Sequence, residues 1–178
     1  MRMKYWIFTT FLIIANLCAN ADQLVLRSDE HKFIWPLPKG WEVTQSLTKG
    51  QYAIKWQGEE LMMIGLQVMT EDKITMADLL KAHASNPRYL FKGVLQRFPE
   101  STFINSSIVK LGSHDAIQSQ CEYVASNLDT KVRVFMCQFA VIWHGQMFSL
   151  AFECLPEDRE KGLELMAKAL AAFSFAEN

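Results

Sequence analysis

Residues 102–155 constrain the fold more than any other stretch. They contain four segments of strand-forming residues: Thr102 to Leu111, His114 to Ala125, Lys131 to Trp143 and Gln146 to Leu155. Short turn signals join them at Gly112-Ser113, Ser126-Asn127-Leu128-Asp129 and His144-Gly145. Strands joined by such short turns must run antiparallel to their neighbours, because a parallel pair needs a crossover of a dozen residues or more. This stretch therefore predicts an antiparallel meander.

The preceding residues add strands and one helical region. Leu24-Val25-Leu26, His31 to Trp35, Trp41-Glu42-Val43 and Gln51 to Trp56 read as short strands, with turns at 36–40, 48–50 and 57–60. Leu61 to Thr70 is longer and almost wholly apolar, which predicts a central strand covered on both faces. Thr75 followed by Asp78 marks a capped helix start. Met76, Leu79, Leu80 and His83 give that helix a buried face, Asn86-Pro87 breaks or kinks it, and an apolar face resumes from Tyr89 to Phe98. A final helix begins at Pro156, with Glu157, Asp158 and Glu160 at its positive end and Leu163, Met166, Leu170 and Phe173 as its inward stripe. The order predicts an α+β domain: an antiparallel β-sheet flanked by two long helices, one on each face.

The first 21 residues predict a location. Arg2 and Lys4 precede an uncharged, mostly apolar run to Leu17, and Ala19-Asn20-Ala21 fits the small-x-small cleavage pattern of a secretory signal peptide. The run is too short to span a bilayer, which takes about 20 apolar residues. The expected organisation is a signal peptide over 1–21 and a single domain over 22–178, exported to the periplasm or outside the cell. No second apolar run of spanning length follows, so no transmembrane segment is expected after cleavage. Lipid tethering through Cys18 is the rival reading, although the bulky Leu17 occupies a position where a bacterial lipobox needs a small residue.

Cleavage takes Lys and Arg from 18 to 16 against 19 acidic residues, a net charge of −3. Such a surface offers no basic stripe for nucleic acid. Three of the four cysteines remain: Cys121, Cys137 and Cys154. A two-residue turn at His144-Gly145 pairs Cys137 with Phe152 and Cys154 with Phe135. The more apolar face of the preceding strand carries Cys121, so all three thiols are expected on one buried sheet face as small hydrophobes. An oxidising compartment also permits a disulfide, and Cys121–Cys137 is the candidate pair, given a turn of about five residues between their strands.

No stretch forms a convincing catalytic or metal site. His31, His83, His114 and His144 lack ligand spacing, no serine sits in a nucleophile elbow, and Glu59-Glu60 and Glu71-Asp72 are adjacent pairs beside turns. No cofactor is expected. Trp35, Trp41, Trp56 and Trp143 fall at or near strand ends, where they either frame a binding patch or pack the edge of the core.

Two short signatures carry a resemblance. Phe33-Ile34-Trp35-Pro36-Leu37-Pro38-Lys39-Gly40-Trp41 resembles the F-x-x-P-x-G-W opening of PsbP-like domains, and Ala171-Ala172-Phe173-Ser174-Phe175 resembles their closing helix followed by S-F. The superfamily includes the PsbP subunit of photosystem II, Ran-binding Mog proteins and bacterial envelope proteins of the DcrB type. The resemblance spans residues 24–176 and implies an α/β/α sandwich with a non-catalytic role. The reading that follows is an exported protein that binds another protein or a small ligand. The alternatives are a small secreted hydrolase with a dispersed site and an envelope protein tethered through Cys18.

Overall fold

The computed structural model describes residues 24–45, 50–70, 74–127 and 130–176. The signal peptide, its cleavage site and Cys18 lie outside these residues, as do Glu71-Asp72 and parts of the turns at 48–50 and 126–129. No helix among the described residues is long and apolar enough to cross a membrane.

Among the described residues, ten strands form two antiparallel sheets. Strands β1 (Val25–Ser28), β2 (Phe33–Pro36) and β10 (Ser174–Phe175) make a small sheet in the order β1-β2-β10. Strands β3 (Trp41–Gln45), β4 (Gln51–Trp56), β5 (Met62–Thr70), β6 (Thr102–Leu111), β7 (His114–Asn127), β8 (Thr130–Trp143) and β9 (Gln146–Cys154) make a large one. Its order is β3-β4-β5-β9-β8-β7-β6, so the expected meander β6–β9 is present, with β5 paired to its last strand. The β8–β9 register is the expected one: Cys137 opposes Phe152 and Cys154 opposes Phe135. His144 and Gly145 take positive φ of 48° and 70°, the conformation a two-residue hairpin turn demands.

Three short helices among these residues replace the two long ones expected. Thr75 caps α1 (Met76–Ser85) through a complete capping box with Asp78. Asn86-Pro87 then ends that helix, and the chain restarts as α2 (Phe91–Arg97). Pro156 opens a 3-10 turn, Pro156–Asp158, ahead of α3 (Arg159–Ala171).

The large sheet separates unequal layers. On one face α3 and the small sheet cover the main core, which includes Phe33, Trp35, Ile64, Leu66, Phe135, Phe148, Leu150 and Phe152, each no more than 1% exposed. On the other face α1 and α2 pack on β7 and β8, with Phe103 of β6 beside them. There Leu79 packs with Ile117 and Ala140, and Phe91 with Cys121, Tyr123 and Met136. Ala151 of β9 borders the cluster under α2, and Glu153 of β9 bonds to Tyr123 within it. The expectation that β5 is covered on both faces fails: its burial alternates, and Met63 is 42% exposed. The run reads as doubly buried because methionine and glycine occupy its outward positions (Met63, Gly65, Met69) beside a single polar residue, Gln67.

Candidate functional site

Among the described residues a concave region lies where α3 crosses the sheet. On that helix Leu163, Met166 and Leu170 follow the expected inward stripe, whereas Ala167 and Ala171 face its flank. Small side chains there leave a gap between α3 and the β6–β7 hairpin. The cavity measures about 310 Å³ and is lined by Val109, Leu111, Gly112, Gln118, Phe139, Met166, Ala167, Leu170 and Ala171, with Lys110 at its rim. This size falls at the lower end of small-molecule pockets, which run from about 300 to 1,000 Å³.

Its walls are apolar and its floor carries one amide. Gln118 Nε2 donates to Cys137 Sγ at 3.2 Å, and Gln118 Oε1 accepts from Ser107 Oγ at 3.5 Å. Two residues along the same strand face, Gln120 Oε1 accepts from Arg159 Nη2 at 3.0 Å, and the Arg159 guanidinium sits 4.8 Å over the Phe135 ring. The Lys110 ammonium pairs with Asp115 at 2.8 Å, which neutralises the charge at the rim. The titratable group nearest this floor is the Cys137 thiol, which burial pushes up to about 11. At neutral pH it is a protonated, apolar-like group rather than a nucleophile. The arrangement offers room for an apolar body beside one fixed amide.

The candidate Cys121–Cys137 pair is not joined. Cys121 opposes Met136 and Cys137 opposes Gln120, so their side chains project from opposite faces of the sheet. All three described cysteines are free and buried. Cys137 and Cys154 belong to the main core, whereas Cys121 packs under α2. The expectation of one shared face fails because both faces of β7 are packed, so the apolarity of one face does not say which side it meets. Burial pushes Cys121 and Cys154 up to about 12.

The four tryptophans do not make one patch. Trp35 is fully buried and donates its indole N–H to the Ala169 carbonyl of α3 at 2.8 Å. Trp41 and Trp56 pair at 5.6 Å at one end of the sheet. Trp56 lies against the Gly40 and Gly58 backbones, where a Cβ would collide with its ring, and donates to Glu60 Oε2 at 3.2 Å. Trp143 lies at the opposite end, stacked on Phe175 at 5.0 Å. The four tryptophans thus fall in three separate places: Trp35 inside the main core, Trp41 with Trp56 at one end of the sheet, and Trp143 at the other.

Of the histidines, His83 shares a 2.9 Å hydrogen bond with Ser106, and His114 and His144 pack on Trp143. His31 is only 9% exposed, and neither ring nitrogen has a hydrogen-bond partner. Among the described residues no group of three His, Cys, Asp or Glu side chains stands close enough to hold a metal.

The cavity escaped the sequence reading because Gln118, Phe139 and Met166 come from three distant elements. Ala167 and Ala171, small residues four apart beside the apolar stripe of α3, were the legible sign of a gap.

No protein-family model and no curated protein matches the chain. Solved structures do. The solution structure of cyanobacterial PsbP (CyanoP) from Synechocystis sp. PCC 6803 superposes with a TM-score of 0.65 at 12% identity, over 92% of this chain and 98% of that one. The fold is PsbP-like. Two further PsbP-like structures widen the comparison. The Saccharomyces cerevisiae Ran-binding protein Mog1p gives a TM-score of 0.57 at 8% identity, over 89% and 97% of the two chains. LpqN of Mycobacterium tuberculosis, involved in cell envelope biogenesis, gives 0.56 at 16% identity, over 88% and 91%. At these identities the PsbP-like match establishes architecture, and the site must speak for function.

Proposed function

We propose that this chain is an exported, non-enzymatic protein that binds another protein or a small ligand. The cavity between α3 and the β6–β7 hairpin carries the reading. It joins apolar walls to one fixed amide and lies beside thiols that burial holds protonated. The shared fold supports it, because the same architecture serves a Ran-binding protein and a protein of envelope biogenesis. Export rests on the leader-like residues 1–21.

Filling the cavity tests the binding reading. Ala167→Trp projects an indole into it from an exposed helix position. Native mass spectrometry and affinity capture of the chain from its own envelope or medium should show a bound mass or a specific protein that the variant loses. Equal recovery on both, or none on either, overturns the proposal. Intact mass tests export: a mature chain starting at Asp22 without added lipid is expected, and an uncleaved or acylated chain refutes it.

A further inference from the structure

Strand β6 ends the large sheet, and no strand among the described residues pairs with its outer edge. Leu111 stands opposite His114 across the two-residue turn Gly112-Ser113, so Leu111, Val109, Ser107 and Asn105 are the residues whose backbone bonds run to β7. Ser106, Ile108 and Lys110 alternate with them and turn their N–H and C=O groups outward. No described residue bonds to those outward groups. Native sheets blunt such an edge with bulges, charges or proline. In β6 the bulge lies between Phe103 and Asn105 and the lysine is Lys110, which leaves Asn105 to Val109 regular, uncharged and free of proline.

The same strand walls the cavity. Val109 and Leu111 line it from β6, and Ala167 and Ala171 line it from the flank of α3. The other flank of α3 meets the small sheet, through the bond from Trp35 to the Ala169 carbonyl. An open row of backbone groups and an apolar cavity thus adjoin at one edge of the molecule. We propose that an extended segment of another protein adds to the sheet beside β6 and places a large apolar side chain in this cavity. The inference rests on the binding role proposed above and names the partner as a protein. Outward N–H and C=O groups at every second residue match a strand, with affinity from the main chain and specificity from alternate side chains. A small molecule in the cavity leaves that row unanswered. Directly opposite residues of neighbouring strands share a face, so the guest residue opposite Val109 points to the cavity side. The β6 of a second copy fits less well. On that face it offers Asn105, Ser107 and Val109, all short, while its Leu111 is buried in its own core.

A random heptapeptide library on phage, selected on the full chain, supplies the probe, and enriched sequences are titrated as free peptides by fluorescence anisotropy. Large apolar or β-branched residues at alternate positions are expected. Methylating the peptide nitrogens that face β6 should weaken binding about tenfold, whereas methylating the alternate nitrogens should not. Ile108→Pro removes an outward N–H without touching a β6–β7 bond and should weaken binding similarly, as should Ala167→Trp, which occupies the cavity. Circular dichroism checks both folds, and should Ile108→Pro misfold, the methylated peptides decide alone. A library that enriches nothing overturns the inference, as do peptides indifferent to methylation, to a folded Ile108→Pro or to Ala167→Trp. So does a small molecule that Ala167→Trp expels and Ile108→Pro retains, an outcome that leaves the proposed binding role standing. A dimer in sedimentation velocity that Ile108→Pro dissociates puts a second copy on the edge and likewise overturns it.

Discussion

At the scale of single residues, a buried histidine and a half-buried glutamate behave in opposite ways. His31 keeps both ring nitrogens away from water without a partner, between the Tyr52 ring and the Gly50 backbone. Its backbone N–H, by contrast, is held by Ser28 Oγ at 3.1 Å. A buried polar atom without a hydrogen bond costs about 1–3 kcal/mol. His31→Leu removes that cost, keeps the backbone bond and should raise stability by about 1 kcal/mol in urea unfolding. Glu153 differs, because Tyr123 satisfies part of its carboxylate. Burial still raises its pKa above the ordinary 4.5, so the folded chain holds this proton more tightly than the unfolded one. The native state therefore loses stability as pH rises from about 4.5 through the folded value. Glu153→Gln keeps an acceptor for Tyr123 and carries no charge. It should be the more stable form at pH 7, with the advantage disappearing below about pH 4.5 in melts across a pH series.

Among elements, α3 decides how closely the main core closes. Gly162 faces β9, and a Cβ there would stand 2.6 Å from Phe152 Cζ and 3.2 Å from Cys154 Sγ. Gly162→Ala must lift the N-terminal half of α3 off the sheet and should cost about 1–3 kcal/mol, read as a lower urea midpoint with an unchanged slope. The elements also show what the sequence could and could not tell. The Thr75–Asp78 capping box and the His144-Gly145 turn were legible because each is written within four consecutive residues and fixed by local hydrogen bonds or backbone conformation. The side to which Cys121 points was not, since it depends on a β7–β8 connection whose residues fit more than one length. The bare outer face of β5 was hidden for another reason: Met63, Gly65 and Met69 are as compatible with a covered face as with an open one. The cavity required knowing that Ala167 of α3 and Gln118 of β7 line one gap, a juxtaposition only tertiary structure defines.

Over the whole molecule, distant segments lock together at one aromatic cluster. Phe175 of β10 stacks on Trp143 at 5.0 Å and meets Phe148 and His114 edge-on, each at 4.9 Å. It thereby ties the small sheet to the large one. Phe175→Ala should cost about 3 kcal/mol and lower the single unfolding transition as one unit, rather than split off a separate melt of the small sheet. Calorimetry distinguishes the two outcomes. Cooperativity is expected because Phe33, Trp35 and Phe173 of the small-sheet side belong to the same core as Phe135 and Leu150.

The pairing of β2 with β10 bears on how such a chain is made. Ser174 sits opposite Ile34, 140 residues earlier in the chain, and Ala176 N–H donates to the Lys32 carbonyl at 2.8 Å. A ribosome delivers residue 34 long before residue 174. Until the last strand emerges, β2 has only β1 beside it, and Phe33 and Trp35 lack the α3 surface that buries them. The native structure thus cannot close until β10 has been made, and the small sheet is the last part of the fold to be completed.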